Sequence, residues 1–259
     1  MTQAQIMSDL HLDFPGARGF PPLAGDTELV LIGGDTCQGL VRAVEAMRMA
    51  YPHVEIAAVA GNHEFYGHTL GEELDAGRER ALELGVHLVE NATVIFDRLH
   101  LRVIGATLWT DYELFGQSLR EAAMRTAYDT MRDHKRIKWS RRPWRRFRPQ
   151  EARMLHLQSR AYIESELAKA YDGTTILLTH MAPTIAAIEP QYRNHMTAAA
   201  YSSNLLATID RHQPDFWISG HTHYSMDLHR GRTHLISNPC GYADENARFA
   251  PQMVIEMGG

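Results

Sequence analysis

The stretch Glu28-Leu29-Val30-Leu31-Ile32-Gly33-Gly34-Asp35 sets the fold class. Four apolar residues in succession end on two glycines and a carboxylate, the pattern of a buried strand that stops at a polar loop. A second run of the same kind, residues 54–60, ends on Gly61-Asn62-His63-Glu64. Between them, residues 40–51 carry apolar side chains at helical spacing. A strand, helix, strand unit favours a parallel sheet, with ligand-type residues gathered at the C-terminal ends of its strands.

Outward from this unit, the spacing predicts a helix over residues 70–84, then strands over 86–89, 93–96 and 99–104 that read as an antiparallel meander. Residues 118–170 read as mostly helical, with a break at Arg142-Pro143 and Arg148-Pro149, where proline and the residue before it disfavour helix. The expectation is a helical, cap-like insertion over about 112–170. Strands return at 174–179, 216–219, 225–229, 233–237 and 253–256, with a helix over 203–212. No linker divides the 259 residues, so one domain spanning 1–259 is expected.

The chain is 44% hydrophobic and 22% charged, as expected of a globular protein with a sizeable core. With 26 basic against 31 acidic residues, net −5, no global charge draws it to nucleic acid or anionic membrane. Cys37 and Cys240 read as free thiols. The first residues offer no basic start and apolar core of a signal peptide, and no apolar run approaches membrane-spanning length. A cytoplasmic protein is expected; nothing in the sequence specifies an oligomeric state.

Seven metal-ligand candidates follow in order: Asp9 and His11 in S-D-L-H, Asp35 in G-G-D, Asn62 in G-N-H-E, His180 in T-H, and His221 and His223 in G-H-T-H. Each sits where a strand-like run gives way to a loop. Imidazoles, carboxylates and one neutral amide oxygen suit a pair of divalent ions, one carboxylate bridging them. In D-x-H and H-x-H, an extended backbone would put both side chains on one side.

These five motifs in this order resemble the calcineurin-like metallophosphoesterase superfamily, over nearly the whole span from Asp9 to His223. S-D-L-H-L-x-F, G-N-H-E-F-Y, L-W-T-D, T-H-x-A-P and N-P-x-G-Y are similar to those of small bacterial metallophosphoesterases. The resemblance implies a four-layer αββα sandwich of two mixed β-sheets flanked by helices. It implies that Asp9, His11, Asp35 and His223 hold one ion and Asp35, Asn62, His180 and His221 the other. His63 would be the catalytic group acting on the leaving-group oxygen, with Asn62 and His63 facing a small phosphate-ester substrate. Hydrolysis would proceed by attack of a metal-bridging hydroxide. Mn, Fe, Zn, Co and Ni all suit this ligand set, Mn being favoured for assay.

Departures from the family pattern narrow the function. Met181 stands where a second His is common, and Cys240 where N-P-R-G-Y has Arg. Gln38 and Gly39 replace the Asp and Arg of the protein phosphatase pattern, which argues against a protein Ser/Thr phosphatase. No dedicated arginine clamp for a dianionic monoester is evident, so a phosphodiesterase is expected ahead of a phosphomonoesterase. The run 135–148, dense in Lys and Arg with Trp139, Trp144 and Phe147, leaves three readings open: a solvated surface, substrate capture by the cap, or a metal-dependent nuclease's nucleic-acid contact. A non-catalytic scaffold is disfavoured by the complete ligand set. His63-Glu64 is no zinc-protease motif, because Gly67 stands where the second His is needed, and G-G-D-T-C-Q-G lacks the Gly-Lys ending of a P-loop. Leu108 to Asp111 could line the pocket, and His156 could reach it from the insertion, although a buried Trp and an ordinary helix-face histidine are the plainer accounts.

Overall fold

In the computed structural model, which describes residues 2–257, β1 (Thr2–Met7) leads to β2 (Thr27–Ile32). The chain crosses through α1 (Leu40–Ala50) to β3 (Glu55–Ala58) and returns through α2 (Leu70–Leu84) to β4 (His87–Leu88). These four strands are parallel neighbours. α1 buries Leu40, Ala43, Val44 and Met47, one face at helical spacing, against the sheet.

The second sheet begins with β5 (Ala92–Phe96) and β6 (Leu101–Ala106). After them come α3 (Arg120–Thr130), α4 (Asp133–Arg136), a hairpin of β7 (Lys138–Arg141) and β8 (Trp144–Arg146), and α5 (Pro149–Leu167). β9 (Thr174–Thr179), α6 (Leu206–His212), β10 (Phe216–Ser219), β11 (Met226–Arg230) and β12 (Thr233–Ser237) follow. β13 (Val254–Met257) crosses back to pair with β1. The first sheet has the order β13-β1-β2-β3-β4, the second β11-β12-β10-β9-β6-β5. Each has four parallel strands and antiparallel edges, β13 in the first and β11 and β5 in the second.

Alternation along the strands explains the layering. Leu29 and Leu31 of β2, Val103 of β6 and Ile176 and Leu178 of β9 meet in the core between the sheets. Val30 and Ile32 point the other way, into the core shared with α1. Strands buried on both faces need helices outside both sheets, so the expected αββα sandwich of two mixed sheets is what forms.

Three local expectations differ. The meander is split: β4 pairs parallel with β3 in the first sheet, while β5 and β6 pair antiparallel in the second. Alternation reports which face of a strand is buried, not which sheet it joins. The break around Arg142-Pro143 is a hairpin, those two residues forming its turn. The insertion is also less of a cap than expected: α5 packs on β6 and α6 as part of the outer layer, and only residues 130–132 of the segment reach the cavity described below.

Candidate metal centre

All seven ligand candidates lie beyond the C-terminal ends of parallel strands: Asp9 and His11 after β1, Asp35 after β2, Asn62 after β3, His180 after β9, His221 and His223 after β10. The two sheets therefore bring their ligands to one edge. Three overlapping groups, Asp9 with His11 and His223, His11 with Asp35 and His63, and Asp35 with His180 and His221, each have donor atoms close enough to hold an ion. Asp35 is central. Its Oδ2 lies 3.8 Å from His11 Nε2, and its Oδ1 lies 3.5 Å from His180 Nε2.

The backbone reaches this arrangement differently from expectation. Asp9, His11, Asp35, His221 and His223 all have positive φ, between 44° and 69°. D-x-H and H-x-H are thus not extended; left-handed residues flank the spacer, a conformation that Asp and His tolerate better than most non-glycine residues. Hydrogen bonds from Asp9 N to Gly34 O (2.9 Å) and from His11 N to Asp35 O (3.0 Å) hold the first turn against the second loop. Glycine is required beside both carboxylates: a Cβ on Gly61 would sit 2.1 Å from Asp35 Oδ1, and one on Gly220 2.6 Å from Asp9 Oδ2. The strain concentrates where chemistry is expected.

Hydrogen bonds orient the donors. His180 Nδ1 lies 2.7 Å from Gly33 O, which can only accept, so in the neutral ring that a metal ligand requires the proton sits on Nδ1 and Nε2 carries the lone pair. That lone pair faces Asn62 Oδ1 at 2.9 Å and His221 Nδ1 at 3.2 Å. The Asn62 amide cannot be turned over, because its Nδ2 donates to Asp133 Oδ1 at 2.8 Å. In that tautomer a nitrogen lone pair and a carbonyl oxygen converge, as two ligands of one cation do. His221 Nε2 and His11 Nδ1 are buried without a partner, so their opposite nitrogens are the ones aimed at the cluster.

Charge follows the same logic. Burial lowers His11 to about 3 and His63 to about 4, and pushes His221 well below the usual imidazole range, so these rings are neutral, as His11 and His221 must be to act as ligands. Burial, reinforced by the neighbouring Asp9, raises Asp35 above the usual carboxylate range. His223 differs. Burial opposes its charge, but hydrogen bonds to Asp9 and to Glu245, whose Oε2 lies 2.6 Å from Nδ1, raise it to about 10. Surroundings that hold a proton on this ring would equally hold an ion at Nε2, which lies 3.0 Å from His11 Nε2 and 3.4 Å from Asp9 Oδ1.

His63 lies against the centre and lines a cavity of about 900 Å³ that opens onto Asp35, Asn62, His221 and His223. Its Nε2 is 3.1 Å from the Tyr242 hydroxyl, and Tyr242 stacks on His11 with ring centroids 4.3 Å apart. Ile188, Tyr192, Ala198 and Tyr201 form part of the wall. They belong to a segment between β9 and α6 whose short 3-10 turns lacked a periodic signal.

Several candidates fall elsewhere. Trp109 is buried against Phe147, their ring centroids 4.5 Å apart. His156 is fully buried, its Nδ1 3.1 Å from Leu108 O and 3.3 Å from Trp109 O, so it pins a loop with positive φ at both residues rather than reaching the centre. None of residues 135–148 lines the cavity, so substrate capture by this run is not what the fold builds. Arg141 pairs with Glu72, Arg145 with Glu151, and the Arg136 guanidinium lies over the Tyr66 ring. Gln38 links Asp13 and Arg136. Cys37 and Cys240 are free and buried, and among the described residues no helix is long and apolar enough to cross a membrane.

Sequence reasoning gave no role to Asp133, Tyr66, Tyr242 or Glu245. Tyr66 and Tyr242 stand inside quoted motifs; Asp133 and Glu245 carry no local pattern.

Comparison with known proteins agrees with the geometry. The sequence model described as calcineurin-like phosphoesterase matches residues 6–225. No curated protein matches the chain significantly in sequence. Among solved structures, the phosphopantetheinyl hydrolase of Mycobacterium tuberculosis superposes with a TM-score of 0.74 at 14% identity, covering 95% of this chain and 92% of that one. A putative 5'-nucleotidase from Staphylococcus aureus gives a TM-score of 0.47 at 13% identity, over 91% of this chain and 48% of that one.

Proposed function

The chain belongs to the calcineurin-like phosphoesterase family, and from that premise we propose that it hydrolyses phosphate esters with two divalent metal ions. Asp9, His11, Asp35 and His223 would hold one ion, and Asp35, Asn62, His180 and His221 the other, with Asp35 serving both. The observation that carries this reading is the convergence of donor atoms around Asp35: Asp9, His11 and His223 on one side and His180 and His221 on the other, with Asn62 Oδ1 2.9 Å from His180 Nε2. Bound ions would supply Lewis acidity, to acidify a water and to neutralise the phosphoryl oxygens.

The chain's own groups do the rest. Asn62 and His63 meet the ester at the cavity floor. His63 is neutral in its buried site, and the negative charge of a docked ester favours its protonated form, which then donates to the leaving-group oxygen. Tyr242 holds the ring in place. A small-molecule substrate and a cytoplasmic location belong to the same reading.

A diester is preferred to a monoester. Arg132 and Arg248 line the cavity, so the sequence argument from a missing arginine no longer supports this preference. The supporting observation is instead the cavity's volume, which accommodates a substituent on either side of phosphorus. Bis-p-nitrophenyl phosphate and p-nitrophenyl phosphate, assayed with metal-free protein and after reloading with Mn, test the reading. Metal-dependent cleavage favouring the diester is expected; cleavage of neither ester by the loaded protein would count against it.

A further inference from the structure

The cavity wall carries charge that ester hydrolysis alone does not use. Arg132, at the N-terminus of α4, and Arg248, in the loop between β12 and β13, both line it. Neighbouring arginines are committed: Arg120 and Arg153 to Glu113, Arg145 to Glu151, Arg160 to Glu164. Among the described residues no ion pair holds Arg132 or Arg248, and the Arg248 guanidinium lies 5.4 Å from the centroid of the Tyr224 ring. Three carboxylates line the cavity, but Asp35 belongs to the candidate metal centre and Glu245 is bonded to His223, which leaves Glu189 as the opposing charge on the wall.

From this wall we infer that the substrate bears a second anionic group, a phosphate or a carboxylate, on its leaving group; the inference rests on the phosphoesterase reading. A phosphoryl group at the metal centre fills a small part of about 900 Å³, which leaves room for an anionic leaving group beside any second substituent. Phe14, Tyr192, Tyr224 and Tyr242 offer that part flat apolar contact. The two guanidinium groups offer planar, forked donors matched to a carboxylate or a phosphate. They come from distant parts of the chain, residues 132 and 248, and both line this one cavity. Both are exposed, so each contact is screened, and a two- to fivefold gain in affinity from each is the rough scale.

Phosphonates test this without turnover, because their P–C bond resists hydrolysis. The Mn-loaded protein would be titrated calorimetrically with phenylphosphonate, 4-phosphonobenzoate and 1,4-phenylenebisphosphonate, and with their biphenyl homologues to vary reach. At least one doubly anionic probe should bind about tenfold more tightly than its singly anionic parent, carboxylate and phosphonate arms telling which anion is preferred. Arg132→Ala and Arg248→Ala should each reduce that ratio, the double variant should bring it near one, and Glu189→Gln should raise it. Equal affinity across the series, no binding of any probe, or a ratio retained in the double variant would overturn the inference. A protein that shows the ratio yet cleaves no phosphate ester supports the anion subsite and contradicts the hydrolase reading, so the two failures are separable.

Discussion

Asp133 Oδ1 accepts hydrogen bonds from Asn62 Nδ2 at 2.8 Å and from the Tyr66 hydroxyl at 2.7 Å, and thereby decides which end of the Asn62 amide faces His180. The carboxylate is buried at 4% exposure and comes from α4, in the segment inserted between the strands of the second sheet. The insertion thus supports the centre from behind Asn62 instead of roofing it.

Asp133→Ala should free the Asn62 amide to rotate and weaken the ion held with His180 and His221. Partners of this kind are typically worth about 10- to 100-fold in metal affinity or activity. Asp133→Asn keeps an accepting oxygen and should recover much of the loss. Metal titration of both variants checks this, and equal affinity in Asp133→Ala and the unmodified protein would count against the role.

Glu64 ties two ligand loops together. Its Oε2 accepts from Asp35 N (3.0 Å) and Gly61 N (2.9 Å), and its Oε1 accepts from Thr36 N (2.7 Å). In Glu64→Gln one of these oxygens becomes an NH₂ group facing an amide N–H. With a buried donor left unpaired, about 2–4 kcal/mol should be lost. For a chain of this size that is a fall in Tm of roughly 5–10 °C, read by thermal unfolding.

Tyr242→Phe isolates one hydrogen bond. The ring can remain stacked on His11 while the contact to His63 Nε2 is lost. Turnover should fall about three- to tenfold with metal content unchanged, the scale of one ordinary hydrogen bond. A variant that loses metal would show that Tyr242 supports the ligands and not His63.

Glu90 gives the protein a pH dependence from a carboxyl outside the candidate ligand set. Burial raises its pKa to about 7, against hydrogen bonds from Thr107 N and Oγ1. Unfolded, it returns to about 4.5, so between pH 4.5 and 7 the folded state binds more protons. Stability contributed by Glu90 therefore falls as pH rises through that window and is level above it. The difference spans about 3 kcal/mol. Glu90→Gln should gain stability relative to the unmodified protein between pH 5 and pH 8 in denaturant titrations; a constant difference would show that Glu90 does not titrate there.

The clustering of the candidate ligands was legible because the family's motifs are short and each is anchored at a strand end. Residues 28–35 and 54–64 announce buried strands by apolar runs, and their final glycines permit the close approach of Asp35 and Gly61. The left-handed φ at Asp9, His11, Asp35, His221 and His223 was not legible, since the same residue types also suit an extended backbone. Asp133 was hidden for a different reason: it reads as an ordinary helix residue, and only packing brings it within reach of Asn62, 71 positions away. The cavity wall from 185–204 was missed because short 3-10 turns leave no periodic pattern.

Metal stoichiometry distinguishes a dinuclear centre from a mononuclear one. Metal-free protein would be titrated with Mn, alongside Asp35→Asn, His223→Ala and His180→Ala, with content checked by elemental analysis. Two equivalents should bind to the unmodified protein, one should be lost in each histidine variant, and both should weaken in Asp35→Asn, because that carboxylate is shared. A single equivalent, or two retained undiminished in Asp35→Asn, would contradict a dinuclear centre bridged by Asp35.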